Sequence, residues 1–217
     1  MEKLEDSKKF KDWQNVLLKN GIEINRITNL KTIHKGNGEA LFGLVDLDAK
    51  DSQGQKLLPA VLLRGHYVCV LVCLIDKSSK KRQYLLVKQR RVADGSIFYE
   101  HPAGMCDNEE DPWAVAIKEV QEETGLNINK ENLSLLVEKP LFSSPGLLDE
   151  SGYFFCCEIE LSQQEILSFA NKATGAEGEN EFIVTHLCEE KDLMQLVKNT
   201  SSYLLNLLYL QKIRAQT

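Results

Sequence analysis

Hydrophobic residues near the start of the chain recur every three or four positions among lysines and other polar residues. Phe10, Trp13, Val16 and Leu17 follow this spacing, and Gly21 stands where a helix would be capped at its C-terminus. Because residues three and four apart share one face of an α-helix, the pattern predicts an amphipathic N-terminal helix.

Beyond this helix the pattern changes to short apolar or alternating runs separated by turn residues, which are typical of β-strands. The pattern predicts a helix over residues 7–19, strands over 22–33, 40–48, 59–63, 67–75 and 83–88, a helix over 111–124, strands over 132–142 and 152–161, a helix near 163–172, a strand over 181–187 and two terminal helices. No βαβ rhythm is visible, so an α+β fold or an α-β-α sandwich is favoured over a doubly wound sheet.

Length and composition fit one globular domain with a small N-terminal extension. The chain has 217 residues, 26 Lys and Arg against 32 Asp and Glu, and a formal charge of −6. Its longest apolar run, residues 67–75, is much shorter than the ~20 residues that span a membrane, and its start is too polar for a signal peptide. We therefore expect a cytoplasmic protein with no membrane partner.

The remaining composition excludes two further classes of protein. The net acidity argues against nucleic acid as a partner, because phosphate recognition usually leaves a basic patch. Six cysteines are present without a Cys-x-x-Cys pair, so neither a zinc finger nor a redox motif is indicated. We expect these cysteines to be buried, reduced thiols.

The predicted helix over 111–124 has clear start and stop signals. Asp111 is a candidate N-cap, Pro112 suits the first helical position, and Gly125 suits a left-handed C-cap. Trp113 and Val120 belong to an apolar stripe that can pack on a sheet.

A second face of the same helix carries Glu119, Glu122 and Glu123. Carboxylates three and four residues apart lie close together and repel one another. An exposed acidic face is the ordinary explanation of such a pattern, but divalent cations bound among the carboxylates would also relieve the repulsion.

The surrounding residues decide between these interpretations. They follow the pattern G-x5-E-x7-R-E-U-x-E-E-x-G-U, where U is aliphatic, at Gly104, Glu110, Glu119, Val120, Glu122, Glu123, Gly125 and Leu126. This segment resembles the Nudix box, the signature of hydrolases that cleave a nucleoside diphosphate linked to another moiety. One position departs from it, since Lys118 stands where the box has Arg.

Flanking segments resemble a narrower group, the ADP-sugar pyrophosphatases, and most closely their plant-type members. Val-Lys-Gln-Arg-Arg-Val at 87–92 is similar to a strand that ends in Gln-x-Arg, and Tyr-Glu-His-Pro-Ala-Gly at 99–104 is similar to Leu-Glu-x-Pro-Ala-Gly. The segments at 144–150 and 178–183 resemble a Ser-Pro-Gly-x-x-x-Glu loop and a late acidic loop. The order and spacing of residues 58–65 also resemble those of the plant-type ADP-sugar diphosphatases.

The resemblance implies a metal site built from oxygen ligands. It assigns Glu119 and Glu123 as ligands, Glu122 as a third ligand or close support, the backbone carbonyl of Ala103 as another, and Glu181 as the residue that completes the site. The implied cofactor is Mg²⁺, with Mn²⁺ as an alternative ion. Loop acids such as Glu181 are otherwise solvated surface groups.

The resemblance also implies catalytic roles. Glu179 matches the position of the general base in bacterial relatives, and Glu122 is a further catalytic candidate. Lys118 would orient a neighbouring box glutamate, although it keeps only the charge of the usual Arg and lacks its planar fork.

Three residues outside the box are candidates for the substrate site. Arg91 would hold the pyrophosphate or the terminal sugar, and Glu100 and Glu150 would lie at the sugar end or support it from a second layer. Each could equally serve the fold. For His101, beside the box, a packing role is favoured over catalysis.

By resemblance the fold is the Nudix α-β-α sandwich around a mixed β-sheet. Residues 1–65 would form a strand-rich part that pairs two subunits in relatives, and residues 66–217 the hydrolase domain. We therefore expect a homodimer, with Phe10, Trp13 or the apolar run 203–210 as candidate contacts.

The resulting hypothesis is a Mg²⁺-dependent enzyme that hydrolyses the pyrophosphate bond of ADP-ribose or ADP-glucose to AMP and a sugar phosphate. Another nucleotide sugar or a dinucleotide would keep the same chemistry. A non-catalytic module that binds a nucleotide sugar is the alternative from a different class.

Overall fold

The computed structural model describes residues 1–107, 111–175 and 182–215. Its elements are α1 Lys8–Lys19, β1 Glu23–His34, β2 Ala40–Lys50, β3 Ala60–Leu63, β4 His66–Asp76, β5 Arg82–Arg90, β6 Ile97–Glu100, β7 Ala103–Met105, α2 Pro112–Thr124, β8 Leu133–Leu135, β9 Leu141–Phe142, β10 Ser151–Leu161, α3 Gln163–Leu167, β11 Ala173–Thr174, β12 Ile183–Cys188, α4 Glu190–Leu196 and α5 Thr200–Arg214.

The chain divides into two compact units. The first contains Met1–His66 and Leu141–Ser151, and the second contains Tyr67–Pro140 and Gly152–Thr217. The first unit thus includes a segment that the sequence analysis placed within 66–217.

The first unit is built on an antiparallel three-stranded sheet in the order β1-β2-β3. Alternate residues of β2 are buried, and α1 begins where the Ser7 hydroxyl accepts a hydrogen bond from the Phe10 amide. Phe10 is only 6% exposed and packs in the core of this unit with Leu63. Phe10 is therefore not available as a subunit contact, and the half-buried Trp13 packs against the same core.

The second unit contains a sheet with the strand order β11-β12-β5-β4-β10-β8, in which β6 pairs with β5 and β7 pairs with β4. Because successive residues of a strand point to opposite faces, β4 supplies two cores. Val68, Val70 and Val72 enter one core, and Cys69 and Leu71 enter the other.

Helices cover both faces of this sheet. Val115, Ala116 and Val120 of α2 pack in the first core. Leu205 and Tyr209 of α5 pack in the second core. This architecture confirms the α+β fold predicted from the sequence.

Some elements differ from the sequence-based prediction. The single strand expected over 132–142 is instead the two short strands β8 and β9, and the helix expected near 163–172 ends at Leu167. The apolar run 203–210 is only partly covered in the part of the chain that the structure describes: Tyr209 is buried, whereas Leu207 is 48% exposed. All six cysteines are thiols, as expected; five are buried, and Cys106 is partly exposed.

Candidate active site

Local signals fix both ends of α2. The Asp111 carboxylate accepts a hydrogen bond from the Trp113 amide at 3.0 Å, and Pro112 occupies the first turn. Gly125 ends the helix in the left-handed conformation, with a φ of 72°. These caps satisfy backbone groups that a helix end leaves unpaired, as the sequence predicted.

The carboxylate of Glu119 lies directly over the backbone of Gly104. A β-carbon at Gly104 would come within 2.1 Å of Glu119 Cδ and Oε1. Only glycine leaves room there, so the absence of a side chain at Gly104 lets the Glu119 carboxylate lie beside the Gly104 backbone.

Glu123 reaches the neighbouring residue of β7, Ala103, from the next turn of α2. Its Oε2 accepts a hydrogen bond from the Ala103 amide at 3.0 Å, and its side chain is almost fully buried. Its backbone carbonyl accepts a hydrogen bond from the Thr174 hydroxyl at 2.6 Å. The structure thus brings together Glu119, Glu123 and Ala103, which the sequence had assigned to one metal site.

Glu122 makes different contacts. Its Oε2 lies 3.2 Å from Lys118 Nζ, and its carbonyl accepts a hydrogen bond from the Gly175 amide at 3.2 Å. Lys118 is one helical turn before Glu122, so Lys can engage a box glutamate here without the planar fork of Arg.

The donor set suits a hard divalent cation, because Mg²⁺ prefers carboxylate and carbonyl oxygens. Within residues 1–107, 111–175 and 182–215, however, no three His, Cys, Asp or Glu side chains converge in a metal-binding geometry. Glu179 and Glu181 lie outside the described residues. By their chemistry alone, the Glu119 and Glu123 carboxylates and the Ala103 carbonyl are the kinds of ligand that Mg²⁺ takes.

Arg91 and Glu100 form an ion pair in the same unit as α2 and β7. Arg91 Nε donates to Glu100 Oε2 at 2.7 Å, and Asn199 Nδ2 donates to Glu100 Oε1 at 2.6 Å. The Glu100 carboxylate is 5% exposed. Two charge-assisted bonds offset the cost of burying this charge.

Glu150 belongs to the first unit. There its carboxylate lies 2.9 Å from Arg64 Nη1, and the preceding Asp149 accepts hydrogen bonds from the Arg64 and Gly65 amides. Burial raises the pKa of Asp149, and these backbone bonds oppose the rise.

Two buried groups border the site. Burial lowers the pKa of His101 to about 4, so its ring is neutral at pH 7, and its Nε2 lies 2.7 Å from Asn206 Oδ1. Burial raises the pKa of the Cys69 thiol, and the nearby carboxylates of Glu123 and Glu100 raise it further. Both groups are therefore neutral parts of the packing, which agrees with the role expected for His101.

Comparison with known proteins identifies the family. The model of the NUDIX domain matches residues 65–199 of this chain. The chain belongs to this family. The match includes α2 and Gly104 of β7, so the acidic helix described above is part of the Nudix box of this protein.

Relatives of this Nudix protein agree with the family match. The chain is 30% identical over 205 residues to Nudix hydrolase 14, chloroplastic, of Arabidopsis thaliana; the alignment covers 87% of this chain and 65% of that protein. The chain therefore spans slightly less than two thirds of that relative.

A solved structure supports the fold assignment independently. The crystal structure of an ADP compounds hydrolase superposes with a TM-score of 0.61 at 16% identity and covers 90% of this chain and 95% of its own. At this identity the likeness shows the Nudix fold.

No helix in the described part of the chain is long and apolar enough to cross a membrane.

Sequence reasoning missed two residues that hold the Nudix site together. Thr174 contacts the Glu123 carbonyl and Asn199 contacts Glu100, across separations of 51 and 99 residues in the chain. Neither residue was singled out from the sequence, because nothing local indicated which distant groups they would contact.

Proposed function

We propose that this Nudix hydrolase cleaves the pyrophosphate bond of an ADP-sugar, ADP-ribose or ADP-glucose, to AMP and a sugar phosphate, with Mg²⁺ as its cofactor. The observation that carries the proposal is the approach of two glutamates of α2 to adjacent residues of β7: the Glu119 carboxylate lies beside Gly104, and Glu123 Oε2 accepts a hydrogen bond from the Ala103 amide. Carboxylates are the ligands that a hard divalent cation such as Mg²⁺ takes.

In this proposal Glu119, Glu123 and the Ala103 carbonyl hold Mg²⁺, and Glu181 completes its ligands. Bound Mg²⁺ supplies positive charge for the pyrophosphate oxygens and makes a coordinated water more acidic. Lys118 keeps Glu122 in place through its ion pair. The arrangement thereby counters the repulsion that protects a pyrophosphate from nucleophiles.

The proton of the attacking water needs an acceptor close to the site. We assign this role to Glu179, which lies outside the described residues. On the N-terminal side of its segment, the Gly175 amide donates a hydrogen bond to the Glu122 carbonyl. On the C-terminal side, Ile183 of β12 pairs with Thr174 of β11. Both flanks of the segment are thus held at the C-terminal end of α2, which supports a base at this end of the box.

Arg91 is the proposed contact to the pyrophosphate, because a guanidinium matches the geometry of phosphate oxygens. Glu100 supports Arg91 through their ion pair. The choice of an adenine nucleotide is supported by the neighbouring structure, which is described as an ADP compounds hydrolase.

A panel of nucleotide sugars tests this proposal. The purified protein is incubated with Mg²⁺ and ADP-ribose, ADP-glucose, UDP-glucose or a dinucleotide, and the products are separated by ion-exchange chromatography. AMP and a sugar phosphate in equal amounts from the ADP-sugars support the proposal. Faster cleavage of the UDP-sugar or dinucleotide would change the substrate but keep the Nudix chemistry.

The cytoplasmic location and the homodimer stay predictions. Light scattering at micromolar protein concentration tests the dimer, and a monomer would contradict it. The name of the Arabidopsis relative places that protein in the chloroplast, so import of this chain into an organelle is the direct alternative to test by fractionation.

A further inference from the structure

Three polar side chains form a continuous hydrogen-bonded series, which we call the positioning chain: Asn199 donates to Glu100, and Arg91 donates to the same carboxylate. We propose that Glu100 and Asn199 are positioning residues, which fix the guanidinium of Arg91 in one orientation for the pyrophosphate of the substrate. This inference rests on the proposed function, because it gives Arg91 a phosphate to bind.

The contact with Glu100 leaves the phosphate-binding end of Arg91 available. A guanidinium has five N–H donors, and the bond that the described residues make to this side chain uses Nε, at 2.7 Å. The two Nη groups are thereby left for a phosphate. A long exposed side chain loses rotamer entropy when it binds, and an Arg already anchored at Nε loses less.

The backbone of Arg91 is fixed as well. Its amide donates to the Ser96 carbonyl at 3.1 Å, and its carbonyl accepts from the Gly95 amide at 2.9 Å, which closes a tight turn between β5 and β6. Glu100 stands at the end of β6, opposite Val87 of β5. The ion pair therefore joins two points of one rigid hairpin.

Asn199 fixes the other end of the chain. Its Oδ1 accepts a hydrogen bond from the Ser202 amide at 3.1 Å and so caps α5. Because the oxygen is engaged there, the amide must present its NH₂ group to Glu100. Nζ of the preceding residue, Lys198, lies 5.4 Å from the centre of the Phe98 ring and 3.1 Å from Ser96 Oγ. The start of α5 is thus attached to the Arg91 hairpin at several points.

If these three residues only stabilised the fold, they would make the same hydrogen bonds. The test must therefore separate effects on stability from effects on substrate binding. In Glu100→Gln, the Gln amide can accept from Arg91 only if its NH₂ faces the NH₂ of Asn199, which breaks the chain. In Asn199→Asp, the cap of α5 is kept because Asp caps helices well, but two carboxylates then face each other. Each single variant should lose the orientation of Arg91.

The double variant Glu100→Gln with Asn199→Asp reverses the polarity of the middle bond. The Gln NH₂ would donate to the Asp carboxylate, the Gln oxygen would accept from Arg91 Nε, and the other Asp oxygen would still cap α5. All hydrogen bonds are then restored, although the negative charge has moved by one residue. A positioning chain predicts rescue by this double variant.

The measurement is the Kd for ADP in the presence of Mg²⁺, by titration calorimetry, together with KM and kcat for ADP-ribose. ADP carries a pyrophosphate, so its Kd tests the chain whether or not the protein turns over a nucleotide sugar. We expect each single variant to weaken ADP binding and raise KM about tenfold, and the double variant to return within about threefold of the wild type.

Two controls complete the design. Glu131→Gln, on an exposed turn, should leave Kd and KM unchanged, and thermal denaturation reports whether each variant folds. In an Arg91→Ala background, Glu100→Gln should have less than about a twofold further effect on Kd, because positioning residues act only through Arg91. Asn199→Ser, which keeps the cap but is too short to reach Glu100, replaces any variant that fails to fold.

The inference is overturned if the double variant binds ADP no better than the weaker single variant, if Glu100→Gln is equally harmful without Arg91, or if the wild type does not bind ADP. If the wild type binds ADP with this pattern but forms no AMP from any ADP-sugar, the proposed function fails while the positioning chain stands.

Discussion

The α-carbon of Gly104 and the carboxylate of Glu119 lie so close that a β-carbon would come within 2.1 Å of Glu119 Cδ. Gly104→Ala should therefore displace this carboxylate. The end of a glutamate side chain moves easily, so the cost to folding should be small, at most about 1–2 kcal/mol. We expect turnover of ADP-ribose to fall at least about 100-fold, since a ligand displaced by about 1 Å loses its function.

Gly36 offers a matched control, since a β-carbon there meets nothing within 4 Å. Gly36→Ala should leave both activity and melting temperature unchanged. If Gly104→Ala retained wild-type turnover, the Glu119 carboxylate would not be part of the catalytic site.

The Thr174 hydroxyl ties β11 to the C-terminal turn of α2 through the Glu123 carbonyl. Thr174→Val keeps the shape of the side chain but removes this donor, which should cost about 1 kcal/mol of unfolding free energy. Turnover should fall more than stability does, because Glu123 and the segment after Gly175 both depend on this contact. Kinetics and thermal denaturation of Thr174→Val and Thr174→Ser check this, and Thr174→Ser should restore both properties.

The left-handed conformation of Gly125 predicts a loss of stability that is separate from catalysis. With φ at 72°, an alanine there would be strained, and its β-carbon would also displace the Lys172 side chain. Gly125→Ala should lower the unfolding free energy by about 1–2 kcal/mol in a denaturant titration. An unchanged midpoint, alongside an unchanged Gly36→Ala protein, would contradict this account of the helix end.

A partly buried cluster of Arg82, Glu158 and Tyr209 on the opposite side of the sheet predicts acid sensitivity. Glu158 Oε1 accepts hydrogen bonds from Arg82 at 2.6 Å and from the Tyr209 hydroxyl at 2.5 Å. Burial alone would raise the pKa of Glu158, but the bonds from Tyr209 and Arg82 outweigh it and hold the pKa below its ordinary value. The folded state therefore binds a proton less readily than the unfolded state does.

A carboxyl group whose pKa is lowered by folding stabilises the folded state when the pH is above the ordinary pKa of Glu, about 4.3. This stabilisation is lost as the pH falls through the pKa that the group has in the folded state. The difference in unfolding free energy between the wild type and Glu158→Gln should thus shrink between pH 6 and pH 3. Glu160→Gln, an exposed site on the same strand, should follow the wild-type curve. A difference that did not change with pH would refute the assignment.

Local patterns predicted the parts of the site that depend on neighbours in the sequence. The spacing from Asp111 to Gly125 fixed the length of α2 and the face that carries Glu119 and Glu123. The apolar run over residues 67–75 likewise predicted a strand, β4, and the structure shows that both of its faces are buried. Periodicity and capping suffice for such elements because their causes lie within one or two turns.

Contacts between distant parts of the chain could not be predicted in this way. The bond from Asn199 to Glu100 and the burial of Phe10 both depend on which elements meet in the folded units. From the sequence, Phe10 and Trp13 were predicted as candidate subunit contacts, because an amphipathic pattern does not show what covers the apolar face of a helix. Residues 132–142 were wrongly predicted as one strand, because an apolar run alone does not show where pairing stops.

The most direct test of the central claim is the formation of AMP from ADP-ribose with and without Mg²⁺, for the wild type, Glu123→Gln and the exposed control Glu131→Gln. The account predicts AMP and a sugar phosphate in equal amounts from the wild type and the control only when Mg²⁺ is present, and at least about a 1,000-fold lower rate from folded Glu123→Gln. Near-normal turnover by Glu123→Gln, or no AMP from the wild type with Mg²⁺, would contradict it.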